Sequence, residues 1–163
     1  MDARDALKIS INMGRMITTS YLEDLTDAEM LHRPCAGANH INWQLGHLIA
    51  SEHGLVSGVC PGAMPPLPEG FAEKYSRDNA GVDDAAKFEN KETLLKVYQE
   101  QRAGTMAALE QLSNDDLDEP SPEQFRAYAP NVAAVFEMQG SHYVMHAGQW
   151  AVIRRQLGRP PLF

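Results

Sequence analysis

Cysteine is nearly absent: Cys35 and Cys60 are the only two in 163 residues. Both sit in Pro- and Gly-flanked segments without CxxC spacing, so they read as reduced thiols, and a chain of this length needs no disulfide scaffold. Positive charge is scarce as well, with 14 Lys and Arg against 22 Asp and Glu and a net charge of −8. Phosphate binding draws its affinity from concentrated positive charge, so nucleic acid is excluded as the expected partner. Long apolar runs are missing too. Stretches such as Val132–Phe136 are far too short to span a bilayer, and the acidic start Met1-Asp2-Ala3-Arg4-Asp5 lacks a signal-peptide pattern. No membrane role and a cytoplasmic location are therefore the expectation. Strand alternation, internal repeats and the phosphate loops GxGxxG and GxxxxGK[ST] are likewise lacking.

What is present is helical periodicity, in four segments separated by breakers. The first runs from about Asp2 to Tyr21, with Ala6, Ile9, Met13, Met16 and Ser20 on one face. Thr26-Asp27-Ala28-Glu29 has the form of a capping box. A second helix is expected from near Asn39 to Gly58, with Ile41, Leu45, Leu48, Ile49 and Leu55 as its apolar residues. Residues 59–90 are rich in Pro, Gly and Asp and read as a long irregular connection. Asn90 caps a third helix whose stripe is Leu95, Tyr98, Thr105, Leu109 and Leu112, with Arg102 inside it. The fourth runs from about Asn131 to Leu157 and is closed by Arg154, Arg155 and Gly158. These elements predict an all-α four-helix bundle, one domain over residues 1–163, with a long crossover connection between helices 2 and 3. The short break between the first two helices predicts that they are antiparallel neighbours.

The chemistry concentrates in histidine. His142 and His146 are four residues apart, about 40° around a helix, so both imidazoles reach one ion. Val135, Met138, Gln139, Met145, Gln149, Trp150 and Ile153 complete the stripe that carries them. His47 lies on the inward stripe of the second helix, and three inward histidines on two helices are hard to satisfy as neutral structural residues. A divalent transition metal, zinc or nickel, satisfies all three and keeps a coordination position open for water or substrate. The metalloprotease pattern His-Glu-x-x-His and the paired Glu-x-x-His motifs of di-iron bundles are both absent. His32, His40 and His53 read as surface or capping residues, and Glu52 and Glu137 as solvated. Tyr98 and Arg102 are the candidate substrate contacts, since a bundle core excludes guanidinium unless it meets a carboxylate or an anionic ligand. Asn12 and Gln139 are further candidate pocket donors.

Gly46-His47-Leu48, the segment Leu109-Glu110-Gln111-Leu112 with Asp116-Leu117 after it, and His142-x-x-x-His146-Ala147-Gly148-Gln149 leading to Arg154-Arg155-x-Leu157-Gly158-Arg159-Pro160 together resemble the DinB-like superfamily, over essentially the whole chain. The resemblance implies a four-helix bundle with a long crossover, a divalent metal on His47, His142 and His146, and a homodimer. It further implies a small-molecule substrate. A metal-dependent transferase joining a low-molecular-weight thiol to a small electrophile is the leading expectation. A metal-dependent hydrolase and a non-enzymatic metal- or ligand-binding module related to stress are the alternatives.

Overall fold

A computed structural model describes residues 1–162. Seven α-helices follow one another: α1 Ala3–Leu22, α2 Asp27–Met30, α3 Ile41–Val59, α4 Phe71–Lys74, α5 Lys91–Gln111, α6 Asn114–Asp118 and α7 Val132–Gln156. Among the described residues there is no strand, only an isolated bridge between Pro120 and Asn131. The four long helices match the four periodic segments. Their starts carry side-chain caps: Asp2, His40, Asn90 and Asn131 each accept from a backbone N–H in the first turn. The Thr26–Glu29 capping box opens α2, with Thr26 N–H donating to Glu29 Oε2 at 2.8 Å. Gly158, at φ +75, closes α7.

Side-chain pairs fix how the helices run. The first turn of α3 meets the residue before α5's cap through Asn42 Nδ2–H donating to Glu89 O at 2.8 Å. Further along, Thr105 Oγ1–H on α5 donates to Glu52 on α3, so the two helices are parallel. Gln44 contacts Trp150 and His146 while Glu52 contacts Tyr143, so α3 runs against α7. Gly14 lies against Gly140, and Tyr21 O accepts from Arg154, so α1 runs with α7. Because α3 and α5 are parallel, residues 60–90 travel back along the bundle.

Two expectations are corrected. α1 packs along α7 and touches α5, whereas α3 packs on α5 and α7, so the first two long helices lie diagonally and are not neighbours. The inward face of α1 is also different from the apolar stripe. Leu7, Ile11, Gly14, Thr18 and Leu22 are buried, while Ile9, Met13 and Met16 are 58%, 50% and 45% exposed. Closeness outweighs hydropathy here: a Cβ on Gly14 would stand 2.9 Å from Gly140 O, and one on Gly140 would stand 2.7 Å from Ser10 O. Small residues let α1 approach α7 to backbone contact, which turns the larger apolar side chains outward. On α7, Met145 and Gln149 are also exposed, and Tyr143 and Ala147 take the inner positions.

The connection 60–90 is more ordered than its composition implies. α4 and two 3-10 turns, Arg77–Asn79 and Ala85–Lys87, interrupt it, and buried Met64, Phe71, Tyr75 and Phe88 pin it to the bundle. Tyr75 explains a glycine: its ring lies where a Cβ on Gly46 would be, 2.1 Å from Cδ1. Tyr75 Oη donates to Asn42 Oδ1 at 3.3 Å and accepts from Glu89 N–H at 2.9 Å. The connection is thereby strapped across α3 one residue before His47.

Candidate metal centre

The strap and the α3–α7 contact bring three imidazoles together. His47, His142 and His146 each offer a ring nitrogen, and these atoms lie within 4.8 Å of one another. Their ring centroids are 5.8 Å (47–142), 6.0 Å (47–146) and 5.0 Å (142–146) apart. His146 is buried and the other two are half-buried, so the cluster has one closed side and one open side.

The hydrogen bonding of His146 settles which nitrogen faces the cluster. Trp150 Nε1–H, which can only donate, points at Gln44 Oε1 at 3.0 Å, while Gln44 Nε2–H donates to Asn39 O at 2.6 Å. Both contacts require the same orientation of the Gln44 amide. His146 Nδ1, 2.7 Å from the same Oε1, must then carry the proton, which leaves the Nε2 lone pair free. A partner that orients a ring through its far nitrogen is the usual support of a metal-binding histidine. On the other side of the cluster Trp43 stacks on His47, with centroids 5.0 Å apart and planes 6° from parallel.

All three rings favour the neutral form that metals bind. Burial lowers each pKa, to about 4 for His142 and His146, and the neighbouring imidazoles add to the effect on those two. His47 is lowered by burial and by the charge of Arg77.

Tyr98 and Arg102 lie elsewhere. Their contacts are with α1, α3 and α7, and none of their hydrogen bonds, ion pairs or ring contacts reaches a histidine. Arg102 Nη2 is 3.2 Å from Glu52 Oε2, Nη1–H donates to Gln139 O at 2.8 Å, and the guanidinium carbon stands 4.5 Å from the centre of the Tyr143 ring. Glu52, expected in solvent, is 1% exposed and also accepts from Thr105 Oγ1–H at 2.5 Å and Tyr143 Oη–H at 2.8 Å. Burial pushes its carboxyl above the ordinary range while Arg102, Thr105 and Tyr143 pull the other way. This is the carboxylate that a guanidinium in a bundle core requires. Tyr98 and Arg102, with Asn12 and Met106, line a groove of about 560 Å³ between α1 and α5. The Gln139 side chain turns back to its own helix, donating to Val135 O at 2.6 Å.

His40 caps α3 as expected but is fully buried. Its Nδ1 accepts from Trp43 N–H at 3.0 Å, so Nε2–H donates to Val82 O at 3.0 Å. His53 meets Gln101 and His32 meets Gln156. The sequence reading missed Gln44 and Glu52. Both are polar residues set one turn from buried apolar ones in α3, and that is the signal that marks them.

A comparison with curated proteins finds no match. The family model described as DinB superfamily matches residues 11–150, a span holding all three histidines, Gln44 and Trp150. On a match over most of its length, the chain belongs to the DinB superfamily.

Proposed function

We propose that His47, His142 and His146 hold a divalent first-row metal, zinc or nickel, and that the protein is a metal-dependent transferase joining a low-molecular-weight thiol to a small electrophile. The observation that carries this reading is the donor set. Three neutral imidazoles converge, one of them held with Nε2 free by Gln44, and the cluster is open on one side. Three nitrogen ligands with room for a fourth group is the arrangement of catalytic rather than structural sites. When bound, such an ion supplies the positive charge that lets a thiol stand as its thiolate at neutral pH.

The chain's own residues position and shield. Gln44 and Trp150 hold the His146 ring, Trp43 covers one face of His47, and burial keeps all three rings unprotonated. The transferase is favoured over the hydrolase because the one carboxylate of α3, which could have assisted a metal-bound water as a base, is already engaged. That carboxylate, Glu52, is committed to Arg102, Thr105 and Tyr143. A second copy of the chain is assigned to the outer face of α1 and α7, where Ile9, Met13, Met16, Val144 and Met145 are exposed. Light scattering on the purified protein tests that dimer.

The test of function is elemental analysis of the protein purified without added metal, followed by assay with a panel of thiols and electrophiles. About one equivalent of metal, lost in His47→Ala and His142→Ala, and thiol conjugation that follows metal content are expected. A folded protein that takes up no metal, or metal-loaded protein inert across the panel, ends the transferase reading.

A further inference from the structure

Arg77 opens the 3-10 turn that follows the Tyr75 strap, and it is exposed. Arg33, Arg102, Arg154 and Arg159 are held in ion pairs, but among the described residues the Arg77 guanidinium is in no ion pair or side-chain hydrogen bond. Its backbone, by contrast, is anchored on both sides of the preceding peptide. Tyr75 is seated on Gly46, and Ser76 O accepts from Trp43 Nε1–H at 3.0 Å. Trp43 is the ring stacked on His47, so Arg77 stands one residue beyond a carbonyl tied to the wall of the histidine cluster. The charge environment agrees. The charge of Arg77 acts on His47, the ring against which Trp43 stacks.

We propose that Arg77 recognises an anionic group at the open side of the cluster, so that the small molecule bound there carries a carboxylate. A fixed backbone and a free planar fork of donors are what carboxylate recognition by arginine requires. This inference rests on the metal reading given above.

Cobalt(II)-loaded protein tests it, with the visible absorption bands of the ion as the readout and mercaptoacetate and 2-mercaptoethanol as probes that differ in the carboxylate. Wild-type protein is expected to bind mercaptoacetate about tenfold more tightly. Arg77→Gln, which removes no contact of the fold, brings that ratio to near one with 2-mercaptoethanol affinity unchanged, and Arg77→Lys keeps part of it. If the carboxylate belongs to the electrophile, the thiols bind alike and acetate binds the cobalt protein already holding 2-mercaptoethanol, weakly in Arg77→Gln. Either dependence on Arg77 supports the proposal. Cobalt uptake with neither dependence overturns the role of Arg77 and leaves the metal site standing. A wild-type protein that takes up no cobalt overturns both.

Discussion

Replacing Gln44 by methionine keeps the shape of the side chain and removes its amide. Three hydrogen bonds go with it: Trp150 Nε1–H and His146 Nδ1–H lose their shared acceptor, and Asn39 O loses its donor. Trp150 is fully buried and His146 is 8% exposed, so water cannot replace the acceptor without opening the core. Each stranded buried donor costs about 1–3 kcal/mol, which sets a loss of about 2–6 kcal/mol in the stability of the metal-free protein. Asn39 is half-buried and its carbonyl can turn to water, so it adds little. The second effect is on the ring. Without Gln44 nothing holds the proton on Nδ1, and metal affinity is expected to fall about 10–100-fold. Urea unfolding measures the first quantity, competition with a chromophoric chelator the second, and two-bond proton–nitrogen correlation spectra report the His146 tautomer directly. Gln44→Glu keeps an oxygen for both donors and is expected to retain the tautomer. Wild-type metal affinity and an unchanged His146 tautomer in Gln44→Met would refute the reasoning.

Protons give another test. His142 and His146 titrate at about 4 in the folded protein against 6.5 for a free imidazole. Between those values the unfolded chain binds more protons, so stability is fully present above about pH 6.5 and falls as pH drops toward 4. Urea midpoints of metal-free His142→Gln/His146→Gln should decline less over that window than wild type, and parallel curves would contradict the shifts. Glu52→Leu leaves the guanidinium of Arg102, 2% exposed, without its carboxylate and should cost about 3–5 kcal/mol. Glu52→Leu/Arg102→Met should recover most of that loss in the same urea assay, and simple additivity would show that the pair is not coupled. Gly46→Ala drives a methyl into the Tyr75 ring, with an expected cost of about 1–3 kcal/mol and faster proteolysis within residues 60–90. An unchanged cleavage rate would mean that the strap is not held there.

The long helices and the histidine cluster were legible in the sequence because they rest on local signals. Caps at Asn90 and Asn131, breakers at Pro34 and Gly158, and the four-residue step from His142 to His146 all act within one or two turns. The face of α1 was not legible, because Gly14 and Thr18 contribute through closeness to α7, a property of the pair of helices that neither carries alone. Glu52 and Arg102 failed to pair on paper for a similar reason. They are fifty residues apart on α3 and α5, and only the parallel course of those helices brings them together. Tyr98 and Arg102 were read as pocket contacts from a stripe that placed them inward, and they line the groove between α1 and α5, apart from the histidines: a stripe gives a direction toward the axis and not toward a chosen neighbour. Arg102 reaches Glu52 and Tyr143 while the imidazoles gather between α3 and α7.

That separation bears on what the cluster is for. His142 and Tyr143 are adjacent on α7, yet one faces the imidazoles and the other donates to Glu52 inside the core. The charged network and the apolar clusters of Leu45, Leu48, Tyr98 and Trp150 hold the helices without help from the histidines, two of which are only half-buried. In small metal-nucleated domains the ligands replace a core that cannot otherwise form. Here the core is formed, and its helices present three unprotonated rings on an open side, with an indole stacked on one ring and an amide fixing another. On the function proposed above, that orientation serves a ligand that must bind in a defined geometry and leave a position free, which is the requirement of an exchangeable small molecule rather than of a structural ion.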